Sequence, residues 1–585
     1  MTYKPSTHTM SDMTEAKNWN WKIAGQAGEG VMVASKMVAK LAKRHGLSAF
    51  NYLEYPSLIK GGHQTGQVCF SKEPIFSQIR SLDILIAFGQ ASFTEHAEEI
   101  TEKTLVIYNS NAGELNEDLV KQCKGKIINL PLNEFARKTA KTKLATNMVA
   151  FGITVAAFGF DQQAALSMVE EEFSSKGEEI VKKNHLAFTA GFEAFLEQES
   201  PISSFSVDSK DNQVLMTGNE AVGLGAVAGG LQYYSAYPMT PASAAMHFLA
   251  DQQKNYPLVV KHVEDEIAAI NQALGASYAG VRSMTGTAGG GFALMVEGLS
   301  LSGVTELPVV ILYGQRPGPA TGLPTWTSQA DLQFVLRAGH GEFQRIVLSP
   351  GTIEEHYLFT KQAFDLAEKY QVPVFIISDK YALESHQTFT KPEETAEVGK
   401  LSFVEEKDLK SDNSFRRYSL TNTKDGVSLR SVPGQEHGLY ISNSYEHDAF
   451  GYATEDATLT IKQTDKRASK YNGILEEIPK PILLGKKDAD VTFICWGSTV
   501  NVLKDVVSQT DKANVIHLPC VWPFPVKEFT ELAKKAKSLV MVEGNATGQA
   551  EQLIRQETGI TMNDNLRRYD GRPFYAEDII DWLEQ

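Results

Sequence analysis

The chain has 585 residues, and 56 basic against 71 acidic side chains give it a formal net charge of −15 at pH 7. Hydrophobic residues make up 42% and charged residues 22%, which is typical of folded globular proteins and excludes a largely disordered chain. At about 150 residues per domain the length predicts three or four domains, and the acidic balance without a basic stripe argues against a dedicated nucleic-acid binder.

The four cysteines are far apart and form no Cys-x-x-Cys pair, so we expect neither a zinc nor an iron–sulfur site in this chain. They are Cys69, Cys123, Cys495 and Cys520. Few cysteines and the lack of an apolar signal segment near residue 1 favour the cytoplasm. The longest apolar runs, such as 307–314, are much shorter than the ~20 residues that cross a bilayer, and we therefore expect no membrane partner.

The first predicted domain covers 17–198. WKIAGQAGEG (21–30) reads as a strand running into a glycine-rich turn, and the following residues repeat apolar positions at helical spacing. Further apolar runs at 82–89 and 104–110 are typical of buried parallel strands. The glycines of the turn, Gly25, Gly28 and Gly30, fit either a tight structural turn or the backbone cradle of a phosphate-bearing ligand.

A second loop of this domain carries unusual polar residues. YPSLIKGGHQTGQV (55–68) places Lys60 and His63 around a glycine pair. Either the lysine is simply solvated, or the loop closes over an anionic substrate. The segment 199–213, rich in Ser and Asp, is predicted to be a linker.

The second predicted α/β domain covers 214–390. In YPMTPASAA (237–245), Thr240 precedes Pro241 at a predicted helix start, which suits ordinary capping or the binding of a carboxylate. HVEDEIAAI (262–270) concentrates three acids before an Ala-rich helix. They are either favourable charges at the helix start, or one of them is drawn into the protein, where it could share a proton.

Two further motifs of this domain indicate close approach and anion binding. MTGTAGGGFALM (284–295) is so rich in small residues that a ligand or a neighbouring subunit is expected to contact its backbone. GQRPGPATGLPT (314–325) follows a buried strand, and ligands bind at the carboxyl ends of such strands. Arg316 is there a candidate clamp for a carboxylate, or else a solubilising surface arginine.

The remaining chain divides into a polar connecting segment or insertion (391–484) and a third α/β domain (485–585) that opens with ADVTFICWGS. The fold class expected is therefore α/β.

Together and in this order, these motifs resemble the α subunit of 2-oxoacid:ferredoxin oxidoreductases, in the form with a γ domain fused ahead of the α chain. GQAGEG and YPSLIKGGHQTGQ resemble the γ domain. YPMTP, VEDEIAAI, TGTAGGGFALM and GQRPGPATGLPTWTSQADL resemble the domain that binds the pyrimidine of thiamine diphosphate. VEGNATGQAEQLIR (542–555) is similar to a transketolase-C-terminal-like domain. The resemblance therefore implies three α/β domains of these types.

The resemblance also implies a role for a glutamate and for the motif around Thr240. Glu266, with Glu264 as second choice, would hydrogen-bond N1′ of the aminopyrimidine and thereby help to form the reactive cofactor. Tyr237 and Pro238 of YPMTP would contribute to cofactor binding. Met239 stands where the family commonly has Ile, a conservative change.

Substrate recognition is implied for residues of three separate motifs. Thr240 and Arg316 match the positions that bind the 2-oxoacid, and with Glu266 they are the expected catalytic residues. Thr325 and Lys60 match further substrate-recognition positions. The glycine turn (Gly25, Gly28, Gly30) would suit the phosphates of coenzyme A.

Some parts that the reaction needs are missing from the sequence. There is no Gly-Asp-Gly…Asn motif for Mg²⁺ and no set of cluster cysteines, so a β subunit is expected to supply the diphosphate/Mg²⁺ site and a 4Fe–4S cluster. An (αβ)₂ assembly that passes electrons to ferredoxin is implied. The expected reaction is coenzyme A-dependent oxidative decarboxylation, best matched to 2-oxoglutarate giving succinyl-CoA and CO₂.

Several alternatives stay open at this point. The substrate could be pyruvate or a branched-chain 2-oxoacid, and the chain could belong to a transketolase-type enzyme without electron transfer. A nicotinamide-dependent dehydrogenase would account for GQAGEG alone, and a regulatory subunit with a decayed thiamine pocket would not need Glu266, Thr240 and Arg316.

Overall fold

The computed structural model describes residues 18–58, 61–208, 212–391, 398–399, 401–411, 414–421, 423 and 425–585. These residues form two compact units. The first unit comprises the described residues up to Thr217 together with Glu384–Lys391 and Tyr575–Gln585, and the second comprises Gly218–Leu383 and the described residues from 398 to Phe574.

Strands and helices alternate from the first described residues onward. Up to residue 217 they are β1 (Trp19–Gln26), α1 (Val31–Arg44), β2 (Ser48–Glu54), β3 (His63–Ser71), β4 (Ile84–Ala87), α2 (Gln90–Glu95), β5 (Leu105–Asn109), α3 (Glu117–Gln122), β6 (Lys126–Leu130), α4 (Leu132–Ala140), α5 (Thr146–Phe158), α6 (Gln162–Phe173), α7 (Glu178–Leu196) and β7 (Gln213–Thr217).

The alternation continues through the middle of the chain. The elements are α8 (Gly218–Ala228), β8 (Tyr233–Ala236), α9 (Ser243–Gln252), β9 (Val259–His262), α10 (Glu266–Tyr278), β10 (Ser283–Thr287), α11 (Gly289–Thr305), β11 (Val309–Gln315), α12 (Leu332–Arg337), β12 (Ile346–Leu348), α13 (Ile353–Tyr370), β13 (Pro373–Asp379), α14 (Lys380–Glu384) and β14 (His386–Thr390).

The last elements begin after residue 456. They are α15 (Ala457–Glu477), β15 (Ile482–Gly485), β16 (Val491–Trp496), α16 (Thr499–Gln509), β17 (Ala513–Leu518), β18 (Cys520–Trp522), α17 (Val526–Ala533), β19 (Leu539–Glu543), α18 (Gln549–Thr558), β20 (Asp564–Arg567) and α19 (Ala576–Glu584).

The first unit is built on an eight-stranded sheet in the order β6-β5-β4-β1-β3-β2-β14-β7. Its β6, β5, β4 and β1 are parallel, and the other pairs are antiparallel. Helix α5 is buried along its whole length and packs closely against α7. A β-carbon at Gly152 would lie 2.0 Å from the carbonyl oxygen of Phe188, so only glycine allows this approach.

The second unit contains two sheets. Seven strands follow the order β18-β12-β13-β11-β10-β8-β9, and all but β18 are parallel. Five strands follow the order β15-β17-β16-β19-β20, with β15 antiparallel. Buried apolar side chains of both sheets belong to one continuous core, which includes Ile311 and Ile516. The α/β class predicted from the sequence is confirmed, and the described residues form three sheets.

A buried ionic cluster fixes part of the segment 391–484. Glu306, which ends α11, is 1% exposed and pairs with two lysines of α15: its Oε1 lies 2.5 Å from Lys466 Nζ and its Oε2 lies 2.6 Å from Lys470 Nζ. Arg417 donates to the backbone oxygen of Glu306 at 2.9 Å. Three of the charged side chains of this segment, Lys466, Lys470 and Arg417, are therefore internal partners of Glu306.

We predict that Glu306→Gln lowers the free energy of unfolding by about 3–5 kcal/mol, because it leaves buried ammonium groups without their counter-charge. Urea denaturation followed by circular dichroism measures this change. Glu405→Gln is the matched control, since Glu405 pairs with Lys407 at an exposed site and should cost at most about 1 kcal/mol. Equal losses in the two variants would contradict the role of the cluster.

Candidate active site

The three acids before α10 have different environments. Asp265 caps the helix, because its Oδ1 accepts the backbone N–H of Ala268 at 2.8 Å. Glu264 is exposed. Glu266, the first residue of α10, is only 3% exposed. Of the two glutamates named from the sequence, the structure thus draws Glu266 into the protein and leaves Glu264 at the surface.

The carboxylate of Glu266 lies against the first turn of α11. A β-carbon at Gly291 would lie 2.4 Å from Glu266 Oε1 and 2.2 Å from Thr287 Oγ1, so any side chain at this position would displace the carboxylate. Within the described ranges, Glu266 Oε1 is buried and has no hydrogen-bond partner. A buried acceptor without a donor is costly, and this oxygen therefore suits a ligand that brings a proton to it.

Thr240 and Arg316 come from distant parts of the chain and meet in the structure. Arg316 directly follows β11, and its Nη1 donates to the backbone oxygen of Thr240 at 2.8 Å. The next carbonyl, that of Pro241, accepts from Asn219 Nδ2 at 3.0 Å. Burial lowers the pKa of Arg316 and the nearby Asp331 partly restores it. The helix α9 begins at Ser243 with Ala242 as its cap, so capping does not explain Thr240.

The other residues named from the sequence lie near the ends of the same strands. Thr325 is 5% exposed, and its hydroxyl has no hydrogen-bond partner among the described residues. Tyr237 follows β8 and is 40% exposed. Its ring lies edge-on to the ring of His262, with 6.0 Å between the ring centroids. Pro238 is partly buried. The roles of these three residues stay predictions.

The glycine turn of the first unit joins β1 to α1. Gly28 and Gly30 have φ values of +96° and +78°, which L side chains rarely adopt, so the turn requires glycine there. At Gly25 a β-carbon would lie 2.7 Å from Glu29 Oε2, and the same oxygen accepts the N–H of Gln26 at 2.7 Å. A carboxylate of the chain itself thus bonds one amide of the turn.

The loop before β3 is only partly described, and Lys60 lies outside the described residues. His63 begins β3, and its Nε2 lies 2.9 Å from His96 Nε2. His96 Nδ1 lies 3.0 Å from Glu99 Oε1, and Glu99 also pairs with the buried Lys22. Burial, followed by the neighbouring His96, lowers the pKa of His63.

The structure shows which side chains approach the backbone of the glycine-rich stretch 284–295. At Gly286, Gly289 and Gly291 the atoms that approach the backbone include the Tyr234 hydroxyl, the Asp331 carboxylate and the Glu266 carboxylate. Polar side chains of the same chain therefore approach these glycines. The sequence predicted that a ligand or a neighbouring subunit would contact them. No local pattern in the sequence shows that the Asp331 side chain points to this stretch.

Three family models match consecutive parts of the chain. "Pyruvate ferredoxin/flavodoxin oxidoreductase" matches 20–194, "Pyruvate flavodoxin/ferredoxin oxidoreductase, thiamine diP-bdg" matches 224–466, and "Pyruvate:ferredoxin oxidoreductase core domain II" matches 489–579. The second match contains the whole site around Glu266.

Named relatives match either nearly the whole chain or about two thirds of it. A 2-oxoacid:ferredoxin oxidoreductase subunit alpha from Sulfolobus sp is 30% identical over 96% of this chain and 95% of its own. The 2-oxoglutarate synthase subunit KorA of Methanothermobacter marburgensis is 30% identical over 63% of this chain and 97% of its own.

One solved structure is similar across the chain. It is 2-oxoglutarate:ferredoxin oxidoreductase from Magnetococcus marinus, with a TM-score of 0.90, 30% identity and coverage of 97% of this chain and 99% of that one. The chain belongs to the 2-oxoacid:ferredoxin oxidoreductase family. It is an α-type subunit of a multi-subunit oxidoreductase, as the motifs predicted, and a separate family model matches its residues 20–194.

Neither a metal cluster nor a membrane-crossing helix is found in the described part of the chain. Among the residues with described coordinates, no group of three or more His, Cys, Asp or Glu side chains could hold a metal ion. In the same part of the chain, no helix combines the length and the hydropathy that a bilayer crossing needs.

We predict that Gly291→Ala weakens the binding of thiamine diphosphate by the purified complex roughly 5- to 150-fold, because the added methyl group collides with the Glu266 carboxylate. Isothermal titration calorimetry measures the dissociation constant. Gly275→Ala, in the middle of α10 where a β-carbon meets nothing within 4 Å, is the control. Unchanged affinity in Gly291→Ala would show that Glu266 does not contact the cofactor.

Proposed function

We propose that this chain is the γα-fused subunit of a coenzyme A-dependent 2-oxoglutarate:ferredoxin oxidoreductase that forms succinyl-CoA and CO₂. The observation that carries the proposal is the buried Glu266 carboxylate, with an unpartnered oxygen at the first turn of α11. It lies in the part of the chain that matches the thiamine diphosphate-binding model.

The residues around Glu266 fit an aminopyrimidine. A buried oxygen that lacks a donor is matched by a ring nitrogen that carries a proton, and Gly291 leaves the space that the carboxylate needs. Thiamine diphosphate, when bound, supplies the electron sink that allows the 2-oxoacid to lose CO₂. Glu266 holds the proton at N1′, and Tyr237 and Pro238 contribute to the cofactor pocket.

Arg316 and Thr240 bind and orient the substrate carboxylate. Because one Nη of Arg316 is fixed on the Thr240 carbonyl, its other N–H groups are held ready for a planar anion, for which the guanidinium is well suited. The buried hydroxyl of Thr325 has no other partner among the described residues and assists this recognition. Lys60, which lies outside the described residues, keeps its predicted role in substrate recognition as part of this proposal.

The choice of 2-oxoglutarate is supported by the relatives. The Magnetococcus marinus structure has 2-oxoglutarate, coenzyme A and succinyl-CoA bound, and the KorA relative is a 2-oxoglutarate synthase subunit. Pyruvate is the second candidate, because all three matching family models are named after pyruvate oxidoreductases.

The γ-type domain binds coenzyme A. The turn of Gly25, Gly28 and Gly30 takes the phosphates of coenzyme A once the carboxylate of Glu29 has released the backbone N–H of Gln26.

A β subunit completes the enzyme. The sequence lacks a Gly-Asp-Gly…Asn motif and a cluster-binding cysteine set. In the described structure Cys69, Cys495 and Cys520 are buried and form no disulfide, and burial raises the pKa of Cys495 and Cys520. The partner therefore supplies Mg²⁺ and at least one 4Fe–4S cluster in an (αβ)₂ assembly, with ferredoxin as the electron acceptor.

We also propose that the chain is divided into the five segments predicted from the sequence. They are 17–198, 199–213, 214–390, 391–484 and 485–585. The cytoplasm is the proposed location, because all four cysteines are free thiols and disulfide-free chains are typical of reducing compartments.

The proposal predicts a brown complex when the chain is purified with its β subunit. The visible absorbance of the cluster should bleach when 2-oxoglutarate and coenzyme A are added together. With a viologen as electron acceptor, 2-oxoglutarate should be turned over faster than pyruvate or 2-oxoisovalerate. Faster turnover of pyruvate would overturn the substrate assignment only. A colourless complex that transfers no electrons would contradict the whole proposal and favour a transketolase-type enzyme.

A further inference from the structure

The five-stranded sheet of the second unit has a crevice at the point where its strand order reverses. From β16 the chain runs through α16 to β17 on one side, and from β19 it runs through α18 to β20 on the other side. These four strands are parallel. Neighbouring parallel strands whose connections diverge in this way form the usual ligand-binding crevice of open α/β sheets. The residues proposed to bind thiamine diphosphate follow strands of the other sheet, so this crevice has no role in the proposed function.

A cavity opens between the carboxyl ends of these strands. It has an empty volume of about 380 Å³, part of which is open solvent, so a group of the size of a phosphate can enter. Residues that follow β16, β19 and β20 line it: Ser498, Thr499, Gly544 and Arg568. Gln329 holds the two strand ends together, because its Nε2 donates to the Trp496 carbonyl at 2.8 Å and its Oε1 accepts the N–H of Gly544 at 2.8 Å.

Two arginines and a helix start make the crevice electropositive. Arg568 and Arg572 both line it. Asp570 Oδ1 accepts from Arg568 Nε at 3.2 Å and from the backbone N–H of Arg572 at 2.8 Å. The Arg572 guanidinium lies 3.2 Å from the centroid of the Trp326 ring. Ser498 precedes α16 without a side-chain capping bond, and a helix N-terminus carries partial positive charge. The crevice therefore suits an anion.

A buried carboxylate stands beside this electropositive crevice. Asp379 ends β13 and is 1% exposed. Its Oδ1 accepts from Thr327 Oγ1 at 3.1 Å. Burial raises the pKa of Asp379, and the nearby Ser498 hydroxyl lowers it. Thr327 and Ser498 both line the crevice, so the carboxylate lies directly behind its wall.

The second oxygen of this carboxylate lacks a donor. Asp379 Oδ2 is buried and has no hydrogen-bond partner among the described residues. A buried acceptor left in this way is costly, and a ligand group that carries a proton would satisfy it. The crevice thus combines cationic groups for an anion with an acceptor for a proton on that anion.

We propose that the crevice between β16 and β19 binds a phosphate group that carries a proton. Arg568, Arg572 and the first turn of α16 bind its charged oxygens, and Asp379 Oδ2 accepts its O–H. A phosphate group can carry a proton near neutral pH, because its second pKa is about 6. Sulfate has the same shape but no such proton, so its oxygen would face the carboxylate without a hydrogen bond. Asp379 therefore selects phosphate over sulfate.

Isothermal titration calorimetry on the purified complex tests the proposal. Thiamine diphosphate and coenzyme A are present at saturation, so that the sites for their own phosphates are filled. At about pH 7 inorganic phosphate should bind saturably, and sulfate should bind at least about 10-fold more weakly, the loss expected for one hydrogen bond to a charged group. No binding of phosphate, or equal affinities for phosphate and sulfate, would overturn the proposal.

Variants locate the bound phosphate. Arg572→Gln should weaken phosphate binding roughly 10- to 100-fold, because it removes a charge-assisted contact. Arg555→Gln is the matched control, at an exposed arginine of α18 in the same unit, and should bind phosphate as the wild type does. Wild-type affinity in Arg572→Gln would show that phosphate binds elsewhere and would contradict the proposal. If Arg572→Gln fails to fold, Arg568→Gln replaces it.

A third variant tests the selection by Asp379. Asp379→Asn should bring the affinities for phosphate and sulfate within about 3-fold of each other, because an amide can donate to either anion. A preference for phosphate that persists in this variant would contradict the role of Asp379. If the variant fails to fold, the wild-type comparison of phosphate with sulfate still decides the question.

Glycerol 3-phosphate distinguishes two sources of the phosphate group. Tighter binding of inorganic phosphate identifies free phosphate as the ligand, and tighter binding of glycerol 3-phosphate identifies the phosphate group of a larger metabolite. Both results support the proposed chemistry if Arg572→Gln weakens the binding. All of these measurements record binding, so they are independent of which 2-oxoacid the complex turns over.

Discussion

The burial of one carboxylate, that of Glu266, is the constraint on which the site depends. A carboxylate so enclosed, with one oxygen lacking any partner among the described residues, costs stability unless a ligand satisfies it. The surrounding chain makes room for it: Asp265 takes the capping role at α10, and Gly291 leaves space at α11. In the proposed function, bound thiamine diphosphate offsets this cost by sharing a proton with the carboxylate.

The rest of the site is arranged around the ends of parallel strands in one sheet. β8 leads to Thr240, β10 leads to the glycines of α11, and β11 leads to Arg316. The three strands are neighbours in the order β11-β10-β8, so segments far apart in sequence meet at one edge, as in open α/β sheets generally. In the proposed function, this edge of the sheet carries both the residues proposed to bind the cofactor and those proposed to bind the substrate.

Local patterns were sufficient for the α/β class, the glycine turn after β1 and the acids before α10, because strand alternation, turn chemistry and helix capping are properties of neighbouring residues. Without the family resemblance, local patterns could not show which of Glu264 and Glu266 is buried, because burial depends on packing against α11. The position of Asp331 beside Gly289, the place of β14 inside the first sheet, and the pairing of Lys466 and Lys470 with Glu306 all join distant segments. No local periodicity encodes such contacts.

The most direct test of the account is the exchange of the C2 proton of bound thiamine diphosphate with solvent deuterium, followed by quenched-flow NMR in the αβ complex. If Glu266 holds the proton at N1′, Glu266→Gln should slow this exchange by about 100-fold or more, while the complex still assembles and binds the cofactor. Glu264→Gln, at the exposed neighbouring carboxylate, should exchange at the wild-type rate. Wild-type exchange in Glu266→Gln, or slow exchange in Glu264→Gln alone, would contradict the central claim.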